Sequence, residues 1–253
     1  MTLLLEGKVA AVTGAGRGVA RGVAIELAKA GADIAVVDID ADNAHKVAGE
    51  ITELSRRSIA ISCDVSRRDQ VDAAVARTVS ELGGLNILVN MAHYLAPGFD
   101  KPLIEITDKD FENQLGAGLM GTYYFMQAAF PHLKDGGKII NTGSAAGIQG
   151  YARMGAYAAS KEGIRGLSRV AAREWGVEGI NVNIVCPSML TTPGMHNRAE
   201  RGMTTDFSTR PIPRPGRQED TGRAVVFLAS EMSDYITGET FMVDGGRTTM
   251  GGR

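Results

Sequence analysis

Short apolar runs alternate with longer amphipathic stretches along most of the chain. The first run, Lys8–Thr13, is followed by a glycine-rich turn and then by a periodic stretch, Val19–Ala30, which Gly31 ends. A short run of this kind predicts a buried strand, and apolar positions three and four residues apart predict a helix. Further strands are predicted at Ile34–Asp38, Ser58–Cys63, Asn86–Asn90, Gly137–Thr142, Ile180–Cys186 and Thr240–Val243.

Helices are predicted between these strands. Ser66 and Asp69 have the spacing of a capping box and predict a helix that runs to about Leu82. Thr107 is followed by an acidic residue and predicts the start of a long helix that ends near Leu133. The other helices are expected at 42–55, about 152–175 and 220–230.

Strand and helix alternate with short connections, and neither an internal repeat nor a linker divides the chain. This order predicts an α/β fold: a single Rossmann-like, doubly wound domain over residues 1–253, with a seven-stranded parallel sheet and helices on both faces. In such sheets a ligand binds beyond the carboxyl ends of the strands. The residues predicted at those ends are Gly14–Gly18, Asp38, Asp64, Asn90, Ser144 and Pro187.

Composition narrows the function classes. The chain has 253 residues, of which 44% are hydrophobic, and a formal net charge of −2, so neither nucleic acid nor an anionic membrane is expected as a partner. Cys63 and Cys186 lie far apart in apolar surroundings, which indicates free thiols and no metal site. Without a signal-peptide pattern or an apolar run of about 18 residues, a soluble cytoplasmic protein is expected.

The glycine turn between the first strand and the first helix is a candidate nucleotide site. Gly14, Gly16 and Gly18 would let the backbone approach a pyrophosphate at the helix amino end, although such a turn can also be only a tight connection. Asp38 ends the second strand about 20 residues later, where a carboxylate binds ribose hydroxyls and repels a 2′-phosphate. NAD is therefore favoured over NADP. A helix cap is the alternative role of Asp38, and Arg17 is the opposing signal, because a cation in the turn could meet a 2′-phosphate.

Ser144, Tyr157 and Lys161 are the candidate catalytic residues. Tyr157 follows Ser144 by thirteen positions, and Lys161 lies one helical turn beyond the tyrosine. An ammonium beside a phenol favours the phenolate and lowers its pKa from the usual value of about 10. A serine hydroxyl nearby can hold a carbonyl or alcohol oxygen. The set predicts proton transfer on an alcohol or ketone oxygen, coupled to hydride transfer. Tyr-x-x-x-Lys alone is also typical of a packed tyrosine and a solvated lysine.

Together these motifs resemble the short-chain dehydrogenase/reductase family over nearly the whole chain. The stretch 13–18 is similar to the family's cofactor turn, Asp64-Val65 to its adenine contact, and 243–246 to its closing motif. The resemblance implies that Tyr157 is the general acid/base, that Lys161 binds the nicotinamide ribose and lowers the pKa of Tyr157, and that Ser144 positions the substrate oxygen. It also implies a homotetramer.

The resemblance extends to the remaining site residues. The expected cofactor-binding residues are Gly14, Gly16, Arg17, Gly18, Val19, Asp38, Ile39, Asp64, Val65, Asn90, Ala92, Tyr157, Lys161, Pro187, Met189 and Thr191. The expected substrate contacts are His93, Ser144, Tyr151 and Tyr157, beneath a loop at about 188–215. Arg198, Arg201 and Arg210 in that loop are candidates for contact with an acidic substrate, with solvated side chains as the alternative.

The chain departs from the family pattern at three places. Ala20 replaces the third turn glycine, His93 ends the motif after the fourth strand, and Gly118 stands where an asparagine is usual. Gly118 and two neighbouring glycines should loosen or kink the long helix. We hypothesise that His93 takes part in proton exchange or contacts substrate, and the alternative is packing beside the cofactor.

Three functions follow from these patterns. The first is NAD(H)-dependent interconversion of a secondary alcohol and a ketone by direct hydride transfer, with Tyr157 as general acid/base. The second is a non-redox enzyme, an epimerase or lyase that uses the cofactor transiently. The third is a catalytically impaired nucleotide-binding scaffold, which Gly118 and His93 suggest.

Overall fold

The computed structural model describes residues 3–94, 100–188, 207–208 and 210–248. Within them seven strands form one parallel sheet in the order β3-β2-β1-β4-β5-β6-β7. The predicted fold class is therefore confirmed. The strands are β1 Val9–Thr13, β2 Asp33–Asp38, β3 Ser58–Ser62, β4 Ile87–Asn90, β5 Lys138–Thr142, β6 Asn181–Pro187 and β7 Thr240–Val243.

Eight α-helices connect or cover these strands in the described part of the chain. None of these helices is long and apolar enough to cross a membrane. The helices are α1 Gly18–Lys29, α2 Ala41–Glu53, α3 Arg68–Leu82, α4 Asp108–Gln114, α5 Gly121–Ala129, α6 Ala145–Ile148, α7 Gly155–Trp175 and α8 Gln218–Ala229.

The central strands of the sheet are buried on both faces, while β3 and β7 at its two edges are only partly buried. In β1, Ala10 and Val12 face a core formed with α1, α2 and α8, while Val9 and Ala11 face a second core formed with α3, α5 and α7. Strands covered on both sides need apolar residues at successive positions. This is why the strands are continuous apolar runs in the sequence rather than alternating patterns.

Two helix starts test the capping predictions. The capping box predicted at Ser66 is wrong: α3 begins at Arg68, and the Ser66 hydroxyl donates instead to Asp64 Oδ1 at 2.7 Å. The start predicted at Thr107 is confirmed. Asp110 N donates to Thr107 Oγ1 at 3.2 Å, and Thr107 N donates to Asp110 Oδ2 at 3.1 Å, so both orphan amides are satisfied.

The long helix predicted from Thr107 changes its winding at the glycines. Between α4 and α5, Leu115–Met120 is a π-helix that contains Gly116 and Gly118. The predicted loosening thus takes the form of a wider turn. The following glycine, Gly121, allows close packing, because a Cβ there would lie 2.9 Å from the side chain of Val65.

Candidate active site

The glycine turn lies directly against the segment after β4. Gly14 and Gly18 have φ of 68° and 62°, a region that favours glycine, and a Cβ on Gly14 would lie 2.9 Å from Ala92 Cα. Thr13 Oγ1 accepts hydrogen bonds from Met91 N at 3.0 Å and Ala92 N at 3.1 Å. These bonds fix the two strand ends together and leave the turn's backbone at the amino end of α1.

The Asp38 carboxylate supports that turn. It is 9% exposed, its Oδ2 accepts from Gly16 N at 2.8 Å, and its Oδ1 accepts from Asp40 N at 3.0 Å. A Cβ on Gly16 would lie 2.9 Å from Asp38 Cγ, so only glycine permits this approach. The N-cap of α2 is Asp40, which accepts from Asn43 N at 3.0 Å, so the helix-cap alternative for Asp38 is wrong.

Other predicted cofactor residues line the same edge of the sheet. Asp64 is half-buried and accepts from Ser66 N at 3.0 Å, while Val65 is buried beside it. Asn90 is 3% exposed and donates to Asn141 Oδ1 at 2.9 Å, and its own Oδ1 has no partner among the described residues. The same edge also carries Arg17 in the glycine turn, Val19 at the start of α1, the exposed Ile39 after β2, and Pro187 at the end of β6.

The structure brings Ser144, Tyr157 and Lys161 together. Ser144 is the N-cap of α6, where its Oγ accepts from Ala146 N at 3.1 Å, and it also hydrogen-bonds Tyr157. Lys161 lies on α7 one turn beyond Tyr157 and is 2% exposed. Its Nζ donates to the carbonyl oxygen of Thr142 at 3.0 Å and is 5.7 Å from the centre of the Tyr157 ring.

Burial controls the protonation of these groups. It lowers the pKa of Lys161 to about 8, because an ammonium is poorly solvated there. Burial also raises the pKa of Tyr157, and the hydrogen bond from Ser144 opposes this increase only in part. The net effect of the surroundings is therefore to raise the pKa of Tyr157, and the lowering expected from Lys161 stays a prediction.

His93 stands beside Tyr157. Its ring meets that of Tyr157 edge-on, with centres 6.1 Å apart. His93 Nδ1 is 3.0 Å from the carbonyl oxygen of Met91, which can only accept, so Nδ1 carries the hydrogen and Nε2 is left as an acceptor. The surrounding protein lowers the pKa of His93, and the charge of Lys161 lowers it further. His93 is exposed, and its lowered pKa leaves the imidazole neutral at pH 7.

Gly118 faces a buried hydroxyl that the sequence did not identify. A Cβ on Gly118 would lie 2.2 Å from Ser160 Oγ, so the serine occupies the space of a side chain at position 118. Ser160 is 1% exposed, and its Oγ has no partner among the described residues. No sequence signal could show that this helix face meets the π-helical segment.

The predicted substrate region is described only in part. Met189, Thr191, Arg198 and Arg201 lie outside the described residues. Of the predicted contacts, Tyr151 is half-buried near Ser144, and Arg210 is described. The structure adds Arg247, whose guanidinium carbon is 5.2 Å from the centre of the Tyr151 ring. It follows the last strand, where periodicity predicts nothing about its position.

Comparison with known proteins identifies the family. The family model described as Enoyl-(Acyl carrier protein) reductase matches residues 14–248. The 2-dehydro-3-deoxy-D-gluconate 5-dehydrogenase of Escherichia coli (strain K12) is 36% identical, with 96% of each chain covered. The 12alpha-hydroxysteroid dehydrogenase of Clostridium sp. (strain ATCC 29733 / VPI C48-50) is 36% identical, with 96% of this chain and 97% of the relative covered.

Solved structures agree in fold. A 7 alpha-hydroxysteroid dehydrogenase complexed with NADH and 7-oxo glycochenodeoxycholic acid superposes with a TM-score of 0.88 at 31% identity, covering 97% of this chain and 96% of that chain. A blue fluorescent protein from a metagenomic library, in complex with NADPH, gives 0.87 at 35% identity, with 96% and 98% covered.

The residues present fit a nicotinamide dinucleotide. Gly14 and Gly16 leave no room for a Cβ where the backbone would approach a pyrophosphate, and the turn opens onto the amino end of α1. Asn90 Oδ1 is a buried acceptor without a partner among the described residues. With the matched family model and relatives, these features show that the chain belongs to the short-chain dehydrogenase/reductase family, as a nicotinamide-dependent oxidoreductase acting on CH–OH groups.

Proposed function

We propose that the protein interconverts a secondary alcohol and a ketone with NAD(H), and that Tyr157 is its general acid/base. The observation that carries this proposal is the contact set of Ser144, Tyr157 and the buried Lys161. When bound, the nicotinamide supplies the hydride acceptor or donor. The protein's share is to hold the substrate oxygen at Ser144 and to move one proton at the Tyr157 hydroxyl.

Proton transfer through Tyr157 sets the direction favoured at each pH. Its raised pKa keeps the phenol protonated at neutral pH, which suits donation to a ketone oxygen during reduction. Oxidation of an alcohol needs the phenolate, so its rate should rise as the pH increases. Lys161, with a pKa of about 8, is mostly charged at pH 7 and would stabilise the developing phenolate.

Asp38 supports the choice of NAD over NADP. A 2′-phosphate placed near its carboxylate would meet a negative charge, and the adjacent Ile39, which is 70% exposed, offers no cation. Arg17 is exposed in the turn and is the residue that could accommodate a phosphate. The relatives do not decide the matter, since one solved structure holds NADH and another NADPH.

His93 is proposed as a substrate contact. Its Nε2 is an acceptor close to the Tyr157 ring, where it could receive a hydrogen bond from a substrate hydroxyl. Replacing His93 with alanine should raise KM more than it lowers kcat. Unchanged KM, kcat and pH profile in His93→Ala would support packing beside the cofactor instead.

We further propose that residues 1–253 form one domain with a substrate loop at about 188–215, and that the protein is a cytoplasmic homotetramer. Val170 on α7 is 51% exposed, which suits a helix that packs against another subunit. Light scattering on the purified protein tests the tetramer, and a monomeric mass would contradict it.

The test of the proposed function is NADH absorbance with a panel of secondary alcohols and either NAD or NADP. Wild-type protein should turn over with NAD, and Tyr157→Phe should lose at least about 10²-fold of that rate. Asp38→Asn, which keeps an oxygen for Gly16 N, should reduce the preference for NAD.

Each alternative has its own outcome. Substrate conversion without net NADH formation indicates an epimerase or lyase. Tight NADH binding without conversion of any substrate indicates a scaffold. Loss of activity in Asp38→Asn with an unchanged cofactor preference would contradict the role assigned to that carboxylate.

A further inference from the structure

Two arginines lie on neighbouring segments at the wall of the candidate substrate site. The wall begins at Ser144, whose Oγ accepts from Ala146 N at 3.1 Å. Tyr151 N in turn donates to Ala146 O at 3.0 Å, and the Tyr151 hydroxyl donates to Gln149 Oε1 at 2.8 Å. The Tyr151 ring is thus fixed by hydrogen bonds one short helix away from the residue that holds the substrate oxygen.

Arg247 lies over this ring. Its guanidinium carbon is 5.2 Å from the centre of the Tyr151 ring, a distance at which a cation is attracted to the ring face. The segment that carries it is tied down on both sides: Gln149 Nε2 donates to Thr248 O at 3.4 Å, and Arg247 N donates to Asp244 O at 3.3 Å. The side chain is exposed.

Arg210 approaches from a second segment. Ile212 N donates to Gly245 O at 3.1 Å, which attaches the chain after Arg210 to the segment of Arg247. The Arg210 guanidinium carbon is 4.8 Å from the centre of the Phe207 ring, so the side chain is supported by stacking. Loss of solvent lowers the pKa of Arg210, the charge of Arg247 lowers it further, and the charge of Asp244 acts in the opposite direction.

The nearby acidic group does not pair with either arginine. Asp244 is 7% exposed, and its carboxylate accepts from Gly246 N at 2.9 Å, from Thr248 N at 2.8 Å and from the Thr248 hydroxyl. Among the described residues no carboxylate forms an ion pair with Arg210 or Arg247. The charges of Arg210, Arg247 and Asp244 sum to +1, which a single carboxylate would balance better than a phosphate dianion.

We infer that Arg210 and Arg247 form a subsite for a carboxylate of the substrate, so that the substrate is a hydroxy acid or keto acid. A guanidinium binds a carboxylate through two parallel hydrogen bonds. A guanidinium that is already held on an aromatic face loses little conformational freedom when it binds. This inference rests on the proposed function, since it names the substrate class for the same site.

The test compares matched acids and methyl esters of secondary alcohols with different spacings between the carbinol and the carboxylate. Examples are 3-hydroxybutyrate, 4-hydroxycyclohexanecarboxylate and gluconate, each against its neutral derivative. Wild type should prefer the acid in kcat/KM, and the acid-to-ester ratio should fall by about 10- to 100-fold in Arg247→Gln. Arg210→Gln should act in the same direction, mainly through KM. Arg77→Gln, which removes an exposed arginine on α3, is the matched control and should leave the ratio unchanged.

Binding is measured separately from turnover. In Tyr157→Phe with NADH present, the keto acid should raise the melting temperature more than its ester does, and Arg247→Gln should abolish the difference. A preference for esters or for phosphate monoesters, or equal losses on acid and ester in Arg247→Gln, would overturn the inference while leaving the proposed function intact. If no alcohol is oxidised with either NAD or NADP, the result counts against the proposed function instead. The difference in melting temperature between the keto acid and its ester would then be the test of the subsite.

Discussion

Replacing Gly118 with alanine places a methyl group where the Ser160 hydroxyl now lies. The Cβ would be 2.2 Å from Ser160 Oγ and 3.4 Å from Ser160 Cβ. The first distance is a severe overlap, and the second is an ordinary contact. The hydroxyl alone therefore prevents a side chain at position 118, and removing it should make room for one.

The magnitudes follow from this geometry. Overpacking in a buried site costs about 1–3 kcal/mol, while alanine gains about 1 kcal/mol over glycine in a helix. Gly118→Ala should thus lose up to about 2 kcal/mol, which corresponds to at most roughly 4–8 °C in melting temperature for a chain of this size. Ser160→Ala removes a buried hydroxyl without a partner among the described residues and should leave stability unchanged or raised. The double variant should be at least as stable as Ser160→Ala.

The assay is a double-mutant cycle from urea unfolding and melting temperature. A coupling of about 1–3 kcal/mol between Gly118→Ala and Ser160→Ala is expected, because the alanine at position 118 is costly only while the Ser160 hydroxyl is present. Gly49→Ala on α2 is the control, since a Cβ there meets nothing within 4 Å and only the helix gain remains. If Gly118→Ala has the same effect in the wild-type protein and in the Ser160→Ala variant, the steric explanation is refuted.

Three further predictions concern buried groups. Lys161→Met should raise stability at pH 7 by about 1–3 kcal/mol while stopping catalysis. The fold lowers the pKa of Lys161 from 10.5 to about 8, so below pH 8 the buried charge destabilises the protein in full. The stability gained by Lys161→Met should therefore shrink between pH 8 and 10 in melting curves. A gain that is equal at all pH values would contradict this. Gly14→Ala should lose about 1–3 kcal/mol and weaken NADH binding by fluorescence titration, because φ is 68° and Ala92 blocks the methyl group; an unchanged melting temperature would be evidence against the strain. Asn141→Ala should lose about 2–4 kcal/mol in urea unfolding, because it leaves the buried Asn90 amide unpaired, and a loss below about 0.5 kcal/mol would argue against that bond.

Sequence patterns were sufficient for the sheet. Every predicted strand is present within one residue at each end. For the central strands this follows from burial on both faces, which requires apolar residues at successive positions. The contact of Ser144, Tyr157 and Lys161 was also predictable, since one strand end and one helix hold the three residues. In these parts of the fold, local pattern and tertiary packing require the same residues.

The features missed by sequence reasoning depend on contacts between distant segments. Ser66 has the right spacing for a cap, but its hydroxyl is taken by Asp64 Oδ1, which competes successfully for it. The π-helix and the Gly118–Ser160 contact arise where two helices meet. Arg247 follows the last strand and reaches Tyr151 only through the folded sheet. No local periodicity contains this information.

The bond between Gly16 N and Asp38 bears on how the cofactor preference of this chain could change. The carboxylate that would discriminate between NAD and NADP also accepts from the backbone of the pyrophosphate turn at 2.8 Å. A mutation that removes it to admit a phosphate also removes the acceptor for that buried amide. Evolution or engineering toward NADP therefore needs two linked changes, one that supplies a cation for the phosphate and one that restores an acceptor to Gly16. Single substitutions at Asp38 that leave no oxygen for Gly16 N should yield enzymes that are weaker with both cofactors before any that prefer NADP.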